Sequence, residues 1–495
     1  MTKLSGFIAR TGFLPGPMRM SAVDRLVAAR TPEAATQLLG LMASSDPQLQ
    51  NAAREGVRML GSMIVRPAME QLGIPVLARQ LAAIEALVIV GPAAMESFST
   101  LYHGLGTASP TVHTALLRAI GAIGPSARDA VPRLIEELDC DRVEDIAAAA
   151  EALGKIGRDS TGAVPKLIGL IGHSDKQVRE AASEAVGKIG PITKAFVPRL
   201  IKLLEEVKDT GVRVAAAEAL GQLGPDAARA IPALSKHLSD NHRDFRQAVV
   251  EALGQIGEAS QSVEHEIAKL LDDRDWGVRE ATARTCGLIS IQDRDSIYRL
   301  DGLMSDDRGS VRRSAAEAIG LLGTRSAESA PTLVSLLNDK YHAVQQAAGR
   351  ALGRIGALAA VHTQDIVKLL KSEDEMQREN AAFALGCIGP AASGAAPELV
   401  RVMTDNEPRV AREAAQAIVK MGASVKDIVP YMTELFRVGD SRIKLLTLRT
   451  LTQMPIYAEP AIGAIKDCME DSDSEVRESA KALLELIIQV GTNTR

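Results

Sequence analysis

Aromatic side chains are scarce in this chain: one Trp, five Tyr and seven Phe in 495 residues. So few rings leave little material for stacking on bases or flat cofactors. Cysteine is sparse as well. Cys140, Cys286, Cys387 and Cys468 lie far apart and form no C-x-x-C, so they read as small buried thiols in a reducing compartment. No run of about 18 apolar residues occurs, the length a membrane helix needs. The amino-terminal segment MTKLSGFIARTGFLPGPMRM is interrupted by Arg10 and Pro15, whereas a secretory leader has a longer unbroken core. The expectation is a cytoplasmic protein with no membrane span. Charge is not concentrated in one sign: the net value is −5, and neither the slightly basic first quarter nor the acidic remainder holds a block of like charge. General nucleic-acid affinity is therefore not indicated.

What the chain has in quantity is one unit, repeated. The segment DKQVREAASEAVGKIG, Asp175 to Gly190, returns at a spacing of 33 residues. With Gly187 as the marker, the same slot holds Gly121, Gly154, Gly221, Gly254, Gly287, Gly320, Gly353 and Gly386; one step is 34 instead of 33. Val88 upstream and Val419, Thr452 and Glu485 downstream continue the register. A fixed period of this length is the signature of a solenoid, in which each unit buries its apolar face only against its neighbours.

One period explains its own folding. Val164-Pro165 opens a first helix, with Pro at N1, where a missing N–H costs nothing. Leu167, Ile168, Leu170 and Ile171 form its apolar stripe. His173-Ser174-Asp175 breaks the chain, and Asp175 is placed to cap a second helix. That helix carries Val178, Ala181, Ala182, Ala185, Val186 and Ile189 on one face at helical period. Gly190-Pro191 ends it. Each helix is too short to be stable alone, so stacking must supply the burial. Counting second helices from Asp46–Gly61 to Ser474–Ile488 gives fourteen units. The step of 30 between Arg58 and Val88 predicts a distorted pair near Gly73-Ile74-Pro75, and Ser21–Arg30 reads as a single capping helix.

These residues resemble the HEAT-repeat family in its short bacterial form, similar to the HEAT-like repeats of phycobilisome lyases. The signature is a Pro in the first helix followed by D-x-x-V-R-x-A-A-x-x-A-L-G-x-I-G, and it covers residues 32–490. The resemblance implies an all-α fold: a right-handed superhelical, armadillo-like solenoid of about fourteen antiparallel helix-pair repeats. Residues 1–31 then form a lead-in with a capping helix, 32–490 a continuous solenoid, and 491–495 a polar tail. Deoxyhypusine hydroxylase, an enzyme of similar repeats, carries His-Glu pairs at the start of second helices. The equivalent slots here read Arg179-Glu180, Arg213-Val214, Arg246-Gln247, Arg279-Glu280 and Arg312-Arg313. The chain's His-Glu pair, His265-Glu266, falls in a first helix. That activity is rejected, and no cofactor, metal or catalytic group is expected.

Three sets of positions remain for function. Basic residues four places after the capping slot (Arg179, Arg213, Arg246, Arg279, Arg312, Arg378, Lys444, Arg477) read as a structural Asp–Arg ladder that caps helices and ties adjacent repeats together, because acids accompany them. The residue three before each marker should point off the second helix toward the concave face: Glu151, Glu184, Glu218, Glu251, Arg284, Glu317, Arg350 and Phe383. This row is either a solvated face of i,i+4 ion pairs or a groove whose acidic part takes a basic segment and whose remainder prefers an acidic one. Last, His242, Trp276, Arg308 and Tyr341 fall in equivalent turns and form either a polar-aromatic ridge or simple packing.

The expected function is a non-catalytic scaffold or adaptor, monomeric, that binds a protein partner through the concave face. A lyase-like or chaperone subunit delivering a chromophore is the alternative; it would need an apolar pocket, for which Phe383, Cys387, Leu288 and Leu321 are the hints. Nucleic-acid binding is a further alternative that the Glu row opposes.

Overall fold

The computed structural model describes residues 16–190 and 195–493. The first fifteen residues of the lead-in, Pro191 after the Gly190 cap, and the last two residues of the tail lie outside them. The chain divides into two compact units, Met1–Ile256 and Gly257–Arg495. Among the described residues there is no strand, and each unit is a stack of seven helix pairs. The fold is the all-α helix-pair solenoid that the period predicts.

In the first unit the second helices are Pro47–Leu60, Leu77–Val90, Pro110–Ile123, Val143–Ile156, Lys176–Ile189, Thr210–Gln222 and Arg243–Ile256. In the second unit they are Trp276–Leu288, Gly309–Leu322, His342–Ile355, Glu375–Ile388, Pro408–Met421, Ser441–Thr452 and Ser474–Asn493. A helix at Gly16–Ala29 precedes the first pair, and its successor residue Arg30 has φ 46°. The last helix runs on through the tail to Asn493.

The period from Val164 folds as its residues dictate. The Asp175 carboxylate accepts the amides of Gln177 (2.8 Å) and Val178 (3.4 Å) and so starts the helix Lys176–Ile189. Val178, Ala182 and Val186 are fully buried, as are Leu167 and Ile168 of the partner helix Val164–Leu170. Full burial of a Val, Leu or Ile is worth about 1.5–3 kcal/mol, and repeated over both stacks this provides the core.

The repeat has a third element that its sequence does not announce. Between one second helix and the next first helix lies a short 3-10 turn, such as Gly124–Ala130, Gly157–Ala163 or Gly323–Ser329. The glycine that opens it has positive φ, between 56° and 93° in eleven repeats. Gly124, for instance, stands at φ 75°, ψ −146°, a region open to glycine and closed to residues with a Cβ. This kink also bears on membrane spanning. Leu77–Gly104 and Glu375–Val402 are apolar enough to cross a bilayer. Each, however, is two helices of 14 and 7 residues folded back through a 3-10 turn at Gly91 or Gly389, and neither is a single helix of spanning length.

Candidate functional site

The basic column is built into the stack. Arg312 donates from Nε and Nη2 to Asp339 at 2.6 and 2.9 Å, and from Nη1 to the Asp306 carbonyl at 2.7 Å. The acid comes from the next repeat, 27 residues on. The same link joins Arg213 to Asp240, Arg279 to Asp306, Arg378 to Asp405 and Lys444 to Asp471. Burial acts to raise the Asp339 carboxyl, but the Arg312 guanidinium and the Tyr341 amide outweigh it and hold it below the usual range. Asp240, Asp306 and Asp405 are depressed in the same way.

Two acidic roles are thus separate. Asp at the capping slot (Asp175, Asp209, Asp275, Asp374) holds its own helix. Asp two places earlier binds the previous repeat. At three rungs both ends change, so that Gln345 pairs by position with Ser372, Ala411 with Val438, and His113 with Cys140. At the last of these, His113 lies 3.4 Å from both Glu137 and Asp145. At the 34-residue step the basic end Arg179 is kept, although Val207 stands two places before the next capping Asp209.

The marker glycines set how closely second helices approach. A Cβ on Gly154 would lie 2.8 Å from the Cα of Ala185 and 3.6 Å from Cδ of Lys188. On Gly386 it would meet the Cα of Ala417 at 2.9 Å and Cδ of Lys420 at 3.3 Å. In each unit the residue after the marker lies over the previous repeat's glycine: Lys188, Gln222 and Gln255 in the first, and Leu321, Arg354, Cys387 and Lys420 in the second. This column, Lys155, Lys188, Gln222 and Gln255 in the first unit and Leu288, Leu321, Arg354, Cys387 and Lys420 in the second, shares the outward face with the row three before the marker. Its role is hidden in sequence because the glycine it covers is a whole repeat away.

In the first unit the outward row is acidic and unevenly neutralised. Glu151 lies 3.8 Å from Arg118, and Glu184 is 2.5 Å from Lys188. One helix further on, glutamines replace the lysines: Gln222 and Gln255 stand where Lys155 and Lys188 stood. Among the described residues Glu218 makes no ion pair, and it is half-buried. Burial first, then the neighbouring Glu180 and Glu251 carboxylates, push its carboxyl above the usual value against a weaker pull from Lys176. Glu251 accepts a hydrogen bond from Gln247 at 3.2 Å.

The second unit's row is mixed. Arg284 lies 3.6 Å from Glu280 and Glu317 lies 3.8 Å from Arg313. Arg350 is exposed. The Phe383 ring packs on the backbone at Gly349, with the Lys420 ammonium 5.4 Å from its centroid. Leu288 and Leu321 are 54% and 48% exposed.

The turn positions are only partly brought together. Trp276 opens its helix and stays 46% exposed, with the Arg308 guanidinium 5.9 Å from its ring. Tyr341 lies against Gly309 and is flanked by Lys340 and Arg312 at 5.2 and 5.7 Å. His242 is an exposed residue of the first unit.

The cysteines are free; Cys286 and Cys468 are buried, whereas Cys140 and Cys387 are only partly so. Burial pushes the Cys286 thiol up to about 12, which makes it unreactive. Among the described residues no three His, Cys, Asp or Glu side chains group as metal ligands. One repeat is irregular: Ser290 occupies the kink slot at φ 55°, with its carbonyl accepting from Gln261 and Arg325. A cavity of about 750 Å³ lined by Tyr298, Asp301 and Arg325 lies beside it, with Arg294 and Glu328 of its lining paired at 2.5 Å.

Similar structures are large helical solenoids. The chain is similar to importin beta crystallised in an ammonium sulfate condition, with 13% identity and a TM-score of 0.60 over 92% of this chain and 74% of that one. Yeast importin-beta (Kap95p) is similar with 14% identity and a TM-score of 0.56, covering 94% and 79%. The karyopherin Kap121p bound to the SUMO protease Ulp1p gives 13% identity and a TM-score of 0.51, covering 98% and 66%. At these identities the likeness shows the fold alone. No curated protein matches the chain by sequence. The family model of HEAT repeats matches residues 131–206, 197–265, 231–320, 299–363 and 363–443, more than half of the chain and all within the periodic region. The chain belongs to the HEAT-repeat family.

Proposed function

We propose that this protein is a non-catalytic scaffold that binds protein partners along its second-helix face, the concave face of such solenoids. In the first unit, the sector of Glu180, Glu184, Glu218 and Glu251 takes a basic segment of the partner. The observation that carries this reading is Glu218: a half-buried carboxylate between two others, on helices where glutamines replace the flanking lysines. Such a group raises the energy of the free protein, and a Lys or Arg side chain from outside relieves it. The fold is compatible with this use, since Kap121p, of the same architecture, has been crystallised bound to the protease Ulp1p. A cytoplasmic, monomeric protein is part of the proposal. A dye-labelled Lys/Arg-rich peptide, titrated by fluorescence polarisation against the wild type and a Glu218→Gln/Glu251→Gln variant, tests it. Weaker binding by the variant supports the acidic sector, and unchanged binding rejects it.

A further inference from the structure

The outward face of the helix His342–Ile355 carries two exposed cations, Arg350 and Arg354. They stand one turn apart, and neither makes an ion pair or side-chain hydrogen bond among the described residues. Their neighbours do pair: Arg313 with Glu317, Arg312 with Asp339, and Lys420 with Glu413 at 3.9 Å.

Arg354 is also held in place. The Arg354 stem lies over the marker glycine of the previous repeat, its Cδ 3.5 Å from where a Gly320 Cβ would be. Between that helix and Gly309–Leu322 is a cleft of about 260 Å³, lined by Leu321, Ala347, Arg350 and Arg354, with Glu317 as its acid. On the other side of the arginines, the Phe383 ring rests on Gly349 beneath Lys420. The positive field reaches Cys387 there: burial holds its thiol high while Lys420 and Arg350 pull against it. An exposed leucine, two exposed arginines and a half-buried phenylalanine thus follow one another on three successive second helices.

We infer that this surface is a second recognition site, which takes an extended acidic segment of a partner protein carrying an apolar residue beside its carboxylates. Guanidinium groups match carboxylates in two-point hydrogen bonds. Positions i and i+4 of a helix lie about 6 Å apart along its axis, close to the ~6.6 Å between alternate side chains of an extended chain. Two carboxylates two residues apart therefore match Arg350 and Arg354 in spacing, and an apolar side chain beside them faces the Leu321 cleft that these arginines line. The inference rests on the reading of the chain as a protein-binding scaffold, but not on the acidic sector of the first unit.

The test is a polarisation titration at low salt with a dye-labelled Glu-Ser-Glu-Ser-Leu-Ser peptide. The wild type binds it, and Arg350→Ala/Arg354→Ala weakens binding about tenfold or more. Replacing the probe's Leu by Ser weakens binding about threefold. Glu218→Gln/Glu251→Gln leaves it unchanged, with thermal melts confirming that each variant is folded; should the double arginine variant not fold, Arg350→Gln alone gives the same reading. Absence of binding by the wild type, equal binding by the arginine variant, or tighter binding of a single-stranded oligothymidine at the same arginines overturns the inference. If the basic peptide still binds the first unit, only this second site has failed; if neither peptide binds, the scaffold reading falls with it.

Discussion

A Cβ on Gly320 would sit 2.9 Å from the Cα of Ala351, one repeat further along the second unit. The atom in the way is backbone, so the two helices must separate to admit a methyl group. The loss of close packing outweighs the helix propensity that alanine brings, about 1 kcal/mol. Gly320→Ala is expected to destabilise by about 1–3 kcal/mol, read as a lower melting temperature. Gly463 is the contrast: it is the second residue of the helix Ile462–Cys468, with nothing within 4 Å of its Cβ position. Gly463→Ala is expected to raise stability by about 0.5–1 kcal/mol.

The Arg312–Asp339 rung links adjacent repeats through nearly buried charges, with side chains 9% and 7% exposed. Removing one partner strands the other, so Arg312→Ala is expected to cost about 3 kcal/mol. The chain itself shows a tolerated alternative at Gln345 and Ser372. The pair Arg312→Gln/Asp339→Ser should cost less than the two single changes added together, measured as a coupling in denaturant unfolding.

These rungs also set the acid response. The carboxyls of Asp240, Asp306, Asp339, Asp405 and Asp471 sit below the ordinary value in the folded chain. The stability they supply is complete above the unfolded value of about 3.9. It is lost as pH falls through the depressed folded values, because the unfolded chain then binds more protons. Unfolding in an acid titration should therefore set in below about pH 4, and Asp339→Asn/Asp405→Asn should flatten that limb of the curve.

Ser290 tests the kink. The slot holds glycine at φ 56–93° in eleven other repeats, and here a serine stands at φ 55°. Left-handed backbone costs a residue with a Cβ about 1 kcal/mol, so Ser290→Gly is expected to stabilise, unless the backbone bonds from Gln261 and Arg325 loosen. Hydrogen exchange at residues 289–292 separates the two effects.

Much of the fold was legible because each repeat states its own rules. Asp175 caps, Val178 to Ile189 bury, and Gly190 ends the helix, as spacing alone predicts. The 3-10 turn was not legible, because Gly-Pro followed by small polar residues reads as loop, and positive φ at Gly124 is visible only in the backbone. Spacing predicts an Asp–Arg ladder that caps helices and ties adjacent repeats, and the links do run between repeats. What one period read alone does not contain is which acid does which, the capping Asp or the one two places before it. The outward row was found by counting back from the glycine. Its meaning depends on the column after the glycine, where Lys188 gives way to Gln222 and leaves Glu218 without the i+4 lysine that Glu184 has.

The central claim is that this acidic sector binds a basic protein segment, and Glu218 ties stability to it. A carboxyl raised by burial and by neighbouring acids destabilises the folded state while ionised and ceases to do so as pH falls through its raised value. Glu218→Gln should therefore stabilise at pH 7 while weakening the basic peptide, the opposition of stability and function expected of a binding site. The most direct measurement is a polarisation titration of a dye-labelled Lys/Arg-rich peptide against the wild type and the folded Glu184→Lys/Glu218→Lys/Glu251→Lys variant at low and physiological salt. The account predicts saturable, salt-sensitive binding by the wild type and at least about tenfold weaker binding by the variant. Equal affinity for the two proteins would contradict it.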